Sequence, residues 1–170
     1  ETRLKSLPRG SGLVAMPRAA YGMDRTIREP SMGLISSDDS PIPHDPHAGT
    51  TATPDGALLR HAYWRTVKPP CKGTVVLLHG RAEFIEKYFE TVTHLREAGF
   101  DVCTFDWRGQ GGSSRLVRDP IKGYIDNFGQ YVTDLETIMT NVALPDCRPP
   151  YFILGHSLGA LVALAAAPKM

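Results

Sequence analysis

The chain has 170 residues and a formal net charge of +1, with 42% hydrophobic, 8% aromatic and 22% charged residues. This length can bury a core, and the composition excludes a disordered tail, a collagen-like repeat and a disulfide-dense miniprotein. The near-neutral charge removes the electrostatic case for a nucleic-acid partner, which would need a basic patch or stripe.

Residues 1–49 are expected to be an irregular N-terminal segment. Residues 1–54 hold 7 of the 14 prolines, and no helical or strand period persists there. Residues 1–31 carry six basic and three acidic residues, and Met32 follows them; they read as an upstream extension. From residue 50 the pattern becomes regular. Asp55-Gly56 is a turn signal, and residues 58–67 alternate loosely as a strand. Residues 73–78 form a short apolar run that suits a strand buried on both faces. Residues 83–98 predict a helix, with Phe84, Tyr88, Val92 and Leu95 on one face, Ile85 and Phe89 beside them, and Gly99 as its stop. Residues 100–105 are another buried strand, and 106–119 a loop rich in Gly and Ser. Residues 127–142 predict a second helix with Phe128, Tyr131, Val132, Leu135 and Ile138 on one side. Residues 151–154 form a third short strand, and 158–167 an apolar helix closed by Pro168.

The alternation of strands and helices predicts an α/β fold, a mostly parallel sheet with crossover helices on its faces. In such sheets ligands bind beyond the carboxyl ends of the strands. The residues just after each strand therefore carry the functional reading. Three cysteines, Cys71, Cys103 and Cys147, have no metal-ligand or C-x-x-C spacing; Cys103 lies in an apolar run and reads as a buried small hydrophobe. No apolar run reaches membrane-spanning length, and the first residues lack the apolar core of a signal peptide. The expectation is a cytoplasmic protein, and the oligomeric state is left open.

The sharpest signal is Gly155-His156-Ser157-Leu158-Gly159, a G-x-S-x-G between a predicted strand and a predicted helix. A tight turn there lifts Ser157 to the top of the sheet, and a Cβ at Gly155 or Gly159 would clash where strand and helix crowd together. The helix opening after Ser157 offers free N–H groups and a positive dipole end, so the N–H of Leu158 suits an oxyanion. The second signal is His79-Gly80-Arg81-Ala82, directly after the strand ending at Leu78. The loop at this place supplies the other oxyanion donor, here the main-chain N–H of Arg81, with Gly80 allowing close approach. His79 precedes the serine and fits loop ordering better than general-base work. His156 is expected to point away from Ser157, and His44, His47, His61 and His94 to be surface or packing residues. The third signal, residues 106–114, resembles a dinucleotide loop only in part, because Ser114 stands where the last Gly of G-x-G-x-x-G belongs. It reads as a tight structural turn beside the site.

Three segments together resemble the serine α/β-hydrolases of the lysophospholipase and monoacylglycerol-lipase group, close to its bacterial lysophospholipase L2-like branch. They are Leu77-Leu78-His79-Gly80-Arg81-Ala82-Glu83-Phe84-Ile85-Glu86-Lys87-Tyr88, Asp106-Trp107-Arg108-Gly109-Gln110-Gly111 and Gly155-His156-Ser157-Leu158-Gly159-Ala160. The resemblance implies Ser157 as nucleophile, the N–H groups of Arg81 and Leu158 as oxyanion hole, and residues 75–78 and 151–154 as the third and fifth strands of the fold. It implies no metal or cofactor. Its triad runs in the order Ser, Asp or Glu, His, yet residues 158–170 contain no Asp, Glu or His. Asp134 precedes the serine and is expected on a solvated helix face or as a cap. The chain is therefore expected to be the N-terminal half of an α/β-hydrolase fold, truncated before the lid and the last strands, with residues 50–170 a partial domain that hydrolyses nothing by itself. The strand 151–154 would be left as an open apolar edge.

The implied function is cleavage of carboxylic esters by the intact protein, as a lysophospholipase or monoacylglycerol lipase. The partner would be a small-molecule lipid or ester, met through peripheral contact with the inner membrane, and not nucleic acid. Other readings of the same pattern are a peptidase, thioesterase or general carboxylesterase, and a non-catalytic half-fold that binds or scaffolds.

Overall fold

The computed structural model describes residues 33–119 and 121–169. The extension read over residues 1–31 lies outside them. Five strands form one sheet in the order β1-β2-β4-β3-β5. These are β1 (His47–Ala52), β2 (Leu58–Trp64), β3 (Thr74–Leu78), β4 (Asp101–Phe105) and β5 (Tyr151–Gly155). β3 runs parallel to both β4 and β5, while β2 is antiparallel to both β1 and β4. Four of the five strands therefore run in one direction, so the sheet is mostly parallel, with β2 alone running against the rest. The reason is the short link between β1 and β2, which permits a hairpin, whereas a parallel return needs a crossover. In that link Thr53 N–H donates to Ala57 O at 2.8 Å, and Gly56 takes φ 85°.

β1 begins inside the stretch expected to be irregular. Its sequence, HAGTTA, is half-exposed or exposed along its length and carries no apolar alternation to read. With β1 in place, residues 75–78 and 151–154 fall in the third and fifth strands in chain order.

Three continuous helical segments of the described residues cover the two faces. A 3-10 turn (Ile85–Tyr88) leads into α1 (Phe89–Glu97). α2 (Gly129–Ile138) continues through a π-helical turn (Met139–Ala143) into the short α3 (Leu144–Asp146), and α4 is Leu158–Ala166. The period-two alternation of strand side chains divides the core. Val76, Leu78, Cys103 and Phe105 pack with Tyr131, Leu135 and Ile138 of α2 and Val162 of α4. Leu77 and Val102 point to the other face, against Ile85, Phe89 and Val92. Every residue of β3 and β4 is buried. Phe84, expected on the buried stripe of the first helix, is exposed, and the stripe is Ile85, Phe89 and Val92. The 3-10 turn advances about 120° per residue instead of 100°, which shifts the phase of the face.

The segment before β1 is tied to this core by polar contacts. The Arg60 guanidinium donates to Gly33 O and to both carboxylate oxygens of Glu86, and the Ile35 N–H also donates to Glu86. Trp64 Nε1 donates to Pro43 O. At the opposite end, β5 is an edge strand, with Phe152, Ile153 and Leu154 between 39% and 47% exposed. All three cysteines are free, and both Cys103 and Cys147 are buried. No helix of the described residues is long and apolar enough to cross a membrane.

Candidate active site

The carboxyl ends of β3, β4 and β5 point the same way, so the loops that follow them converge. After β5 the chain turns through Ser157, which sits at φ 50° and ψ −111°. A non-glycine residue with positive φ is uncommon and costs of order 1–3 kcal/mol, so it persists only where its surroundings impose it. Here the surroundings are steric. A Cβ on Gly155 would lie 2.6 Å from the Ala160 N, and one on Gly159 would collide with the Leu78 carbonyl. β5 and α4 can therefore approach each other, and α4 can approach β3, only with glycine at these two positions. The His156 N–H donates to Leu78 O at 2.9 Å, which fixes the turn to the end of β3. Ser157 is exposed. Leu158 opens α4, and among the described residues its N–H has no acceptor.

The loop after β3 lies beside this turn. A Cβ on Gly80 would meet the Glu83 carboxylate at 2.7 Å and His156 Nδ1 at 2.9 Å, so the loop and the turn are in contact through Gly80. Ala82 has φ 60°, a second non-glycine residue in the left-handed region. Glu83 Oε2 accepts the Gly80 N–H at 2.6 Å and the Tyr88 hydroxyl at 2.7 Å, and it faces His156 Nδ1 at 3.1 Å. Burial would raise its carboxyl. Hydrogen bonds from Tyr88, Gly80 and His156 outweigh that and hold it down at about 2. Burial and the neighbouring Glu83 push the Tyr88 phenol up to about 12.

His79 is fully buried. Its Nδ1 lies 2.7 Å from Gly80 O, its carbonyl accepts Trp107 Nε1 at 2.9 Å, and its Nε2 lies 3.6 Å from Asp106 Oδ1. The first contact lies within the β3 loop, and the other two knit that loop to the β4 loop. His156 instead projects outward, with its side chain 63% exposed.

The residues that sequence reasoning missed lie mainly in the β4 loop. Asp106 accepts the Ile85 N–H (2.9 Å), the Gly112 N–H (2.7 Å) and Arg60 Nε (2.7 Å). Burial would raise this carboxyl, but His79, Arg60 and the Gly112 N–H hold it below the usual range. Gly111, at φ 47°, leaves no room for a Cβ because the Asp106 carboxylate fills that space. Gln110 Oε1 accepts the Ala82 N–H at 2.6 Å. Asp134 is not on a solvated face. It is fully buried and pairs with Arg108 at 2.6 Å, and Arg108 also pairs with Asp55 at 2.6 Å. An acid in the middle of an amphipathic helix looks solvated until the loop cation that reaches beneath it is placed, and no spacing in the sequence signals that partner.

A cleft of about 1260 Å³ opens beside the β3 loop, lined by Arg81, Ala82, Glu83, Phe84, Gln110 and Arg115 among others. Ser157 does not line it. Among the described residues no cluster of His, Cys, Asp or Glu could hold a metal ion.

A strand, a serine at positive φ, a helix packed through two glycines, and a buried histidine-glycine loop beside them agree with one family profile. The profile of Hydrolase_4, described as serine aminopeptidase S33, matches residues 69–170. The chain belongs to the Hydrolase_4 family. It is 36% identical over 107 residues to the probable lysophospholipase L2 of Haemophilus influenzae, covering 62% of this chain and 34% of that protein. It is 40% identical over 88 residues to the lysophospholipase L2 of Escherichia coli K12, covering 52% of this chain and 26% of that protein. Among solved structures it is similar to a soluble variant of monoglyceride lipase from Saccharomyces cerevisiae, at 28% identity and a TM-score of 0.59, over 74% of this chain and 38% of that one. The fold of this Hydrolase_4 chain is that of the α/β-hydrolases, and the chain spans about a quarter to a third of the length of these two curated relatives.

Proposed function

We propose that the protein carrying this chain is a serine hydrolase that cleaves carboxylic esters of lipids, with a lysophospholipid or a monoacylglycerol as substrate. The observation that carries this reading is Ser157, held at φ 50° between β5 and α4. Ser157 Oγ attacks the ester carbonyl, and the N–H groups of Arg81 and Leu158 receive the developing oxyanion, a contribution of several kcal/mol. A serine hydroxyl is un-ionised at neutral pH, so a base must take its proton and return it to the leaving alcohol. Residues 158–170 contain no Asp, Glu or His, and the acid and base belong to the reaction of the whole protein. His79, Gly80, Gly155, His156 and Gly159 shape the site without reacting. Residues 50–170, with β1 reaching back to His47, act as one part of a single α/β-hydrolase domain. The lipid substrate brings the protein into peripheral contact with a membrane from the cytoplasmic side.

The test is labelling of the protein, made from its complete coding sequence, with a fluorophosphonate probe. Label is expected on Ser157 and is expected to vanish in Ser157→Ala together with ester hydrolysis. Ester hydrolysis undiminished in Ser157→Ala would overturn the reading. A second reading, an aminopeptidase, is favoured by the description of the family profile. Aminoacyl amides tested beside monoacylglycerols and lysophospholipids separate the two.

A further inference from the structure

We infer that Glu83 is a positioning residue for the oxyanion loop: with Gln110, it occupies the backbone N–H groups on either side of Arg81 and so leaves only the Arg81 N–H for the reacting oxygen. This rests on the proposed roles of Ser157 and Arg81. The Gly80 N–H donates to Glu83 Oε2 and the Ala82 N–H to Gln110 Oε1, each at 2.6 Å. Between them, among the described residues, the Arg81 N–H has no acceptor. Three successive N–H groups are thus sorted by two side chains, and the middle one is kept open.

The loop would not hold this shape unaided. Ala82 lies at φ 60°, where a Cβ crowds the backbone at a cost of about 1–2 kcal/mol. Both side chains that act on the loop are themselves anchored. Gln110 Nε2 lies 3.3 Å from the Tyr131 hydroxyl. Glu83 Oε2 gathers Tyr88 at the end of the 3-10 turn and His156 immediately before Ser157. One carboxylate oxygen therefore ties the donor loop, the start of α1 and the serine turn together. Three donors converging on one oxygen call for an ionised acceptor, and charge-assisted bonds of this kind are roughly twice as strong as neutral ones. Glu83 touches no reacting atom; its effect passes through Gly80 and His156.

Catalysis gains only from contacts that strengthen in the transition state. Loss of Glu83 should therefore lower kcat and leave KM nearly alone. In the protein made from its complete coding sequence, Glu83→Ala is expected to lower kcat about 100-fold, the scale of losing one oxyanion donor, with KM within about twofold. Glu83→Gln keeps an oxygen for the Gly80 N–H and should restore kcat to within about tenfold of wild type. The second measurement is independent of turnover. By nuclear magnetic resonance the Gly80 amide proton should be shifted downfield and slow to exchange, and Glu83→Ala should release it. A Glu83→Ala enzyme with kcat within twofold of wild type, beside an inactive Ser157→Ala enzyme, overturns the inference. So does a Gly80 amide whose exchange is unchanged by Glu83→Ala. Full activity in Ser157→Ala would instead defeat the proposed function, and the Gly80 amide would still decide whether Glu83 sets the loop.

Discussion

The two parts that meet at Ser157 are held by different forces. The loops after β3 and β4 are fixed by buried charge and hydrogen bonds: Asp106, Arg60, Glu86 and His79 are all buried and all paired. The β5–α4 unit has no side-chain cap on its helix, and its outer face is exposed at Leu161 and Leu164. It is fixed by the absence of a Cβ at Gly155 and Gly159. The loop, whose N–H groups are fixed in direction, is set by directional bonds, and the turn, which holds one residue at positive φ, is set by close packing. The two devices should fail differently when altered.

The largest effect is expected in the polar half. Asp106→Ala removes the acceptor for Arg60 Nε and for the Ile85 and Gly112 N–H groups, and Asp106, Arg60 and Ile85 are buried. Arg60 keeps its pair with Glu86, but its Nε and the Ile85 N–H are left without an acceptor away from water, together costing about 3–5 kcal/mol. Denaturant unfolding should show a loss of that size. A loss below 1 kcal/mol would mean that water replaces the carboxylate, and that the loops are not held as described.

Next comes the steric half. Helix propensity alone says that Gly159→Ala should stabilise α4 by about 1 kcal/mol. The structure says the reverse, because the new Cβ collides with the Leu78 carbonyl, a backbone atom that cannot swing aside. A net destabilisation of about 1–3 kcal/mol is expected. The sign of the change, read from the urea midpoint, separates propensity from packing.

The third effect is on acid stability. Asp101 accepts hydrogen bonds from Arg148 and Arg65 and from the Thr66 N–H. Burial would raise its carboxyl, but Arg148, Thr66 and Arg65 hold it at about 2. A folded-state value below the ordinary one stabilises the fold above about pH 4 and stops doing so as pH falls through 2. The contribution is about 2 kcal/mol at most, and it is weakened by salt because both arginines are roughly half exposed. Thermal unfolding followed from pH 5 to pH 2 should show this loss, and Asp101→Asn should flatten the profile. An unchanged profile in that variant would assign the acid sensitivity to another carboxylate.

The same contrast explains what was legible in the sequence. The turn at Ser157 could be read because steric devices leave a local signature: glycines two residues either side of a serine, between an apolar run and an apolar helix. The buried strand 74–78 could be read as a continuous apolar run, and 101–105 from the apolar residues around Cys103. The polar half was legible only in part. His79-Gly80-Arg81 was visible as a motif, but Asp106, Arg60 and Glu86 come together from residues 46 and 26 positions apart, and Asp134 finds Arg108 from 26 positions away. Charge pairs across such separations carry no periodicity. β1 escaped because HAGTTA is a half-exposed edge strand without large apolar residues, so neither alternation nor a run marked it.

The smallest effect is expected on the outer face of α4, where the comparison is easiest to sharpen. Leu164 is 74% exposed, while Leu135, on the inner side of α2, is fully buried. Leu164→Glu exchanges two good helix formers and removes little packing, so the unfolding free energy should change by less than about 0.5 kcal/mol. Leu135→Ala should cost about 2–5 kcal/mol through lost burial and the cavity left behind. Leu164→Glu should instead act on association. Exposed Leu161 and Leu164 lie in α4, which packs on the edge strand β5 with its exposed Phe152 and Ile153, and such edges attract other chains. Sedimentation of this chain should show less self-association in Leu164→Glu at the same concentration. A loss of more than 1 kcal/mol in Leu164→Glu would show that the face is packed in solution, and the contrast between a buried polar half and an open apolar half would fail at that point.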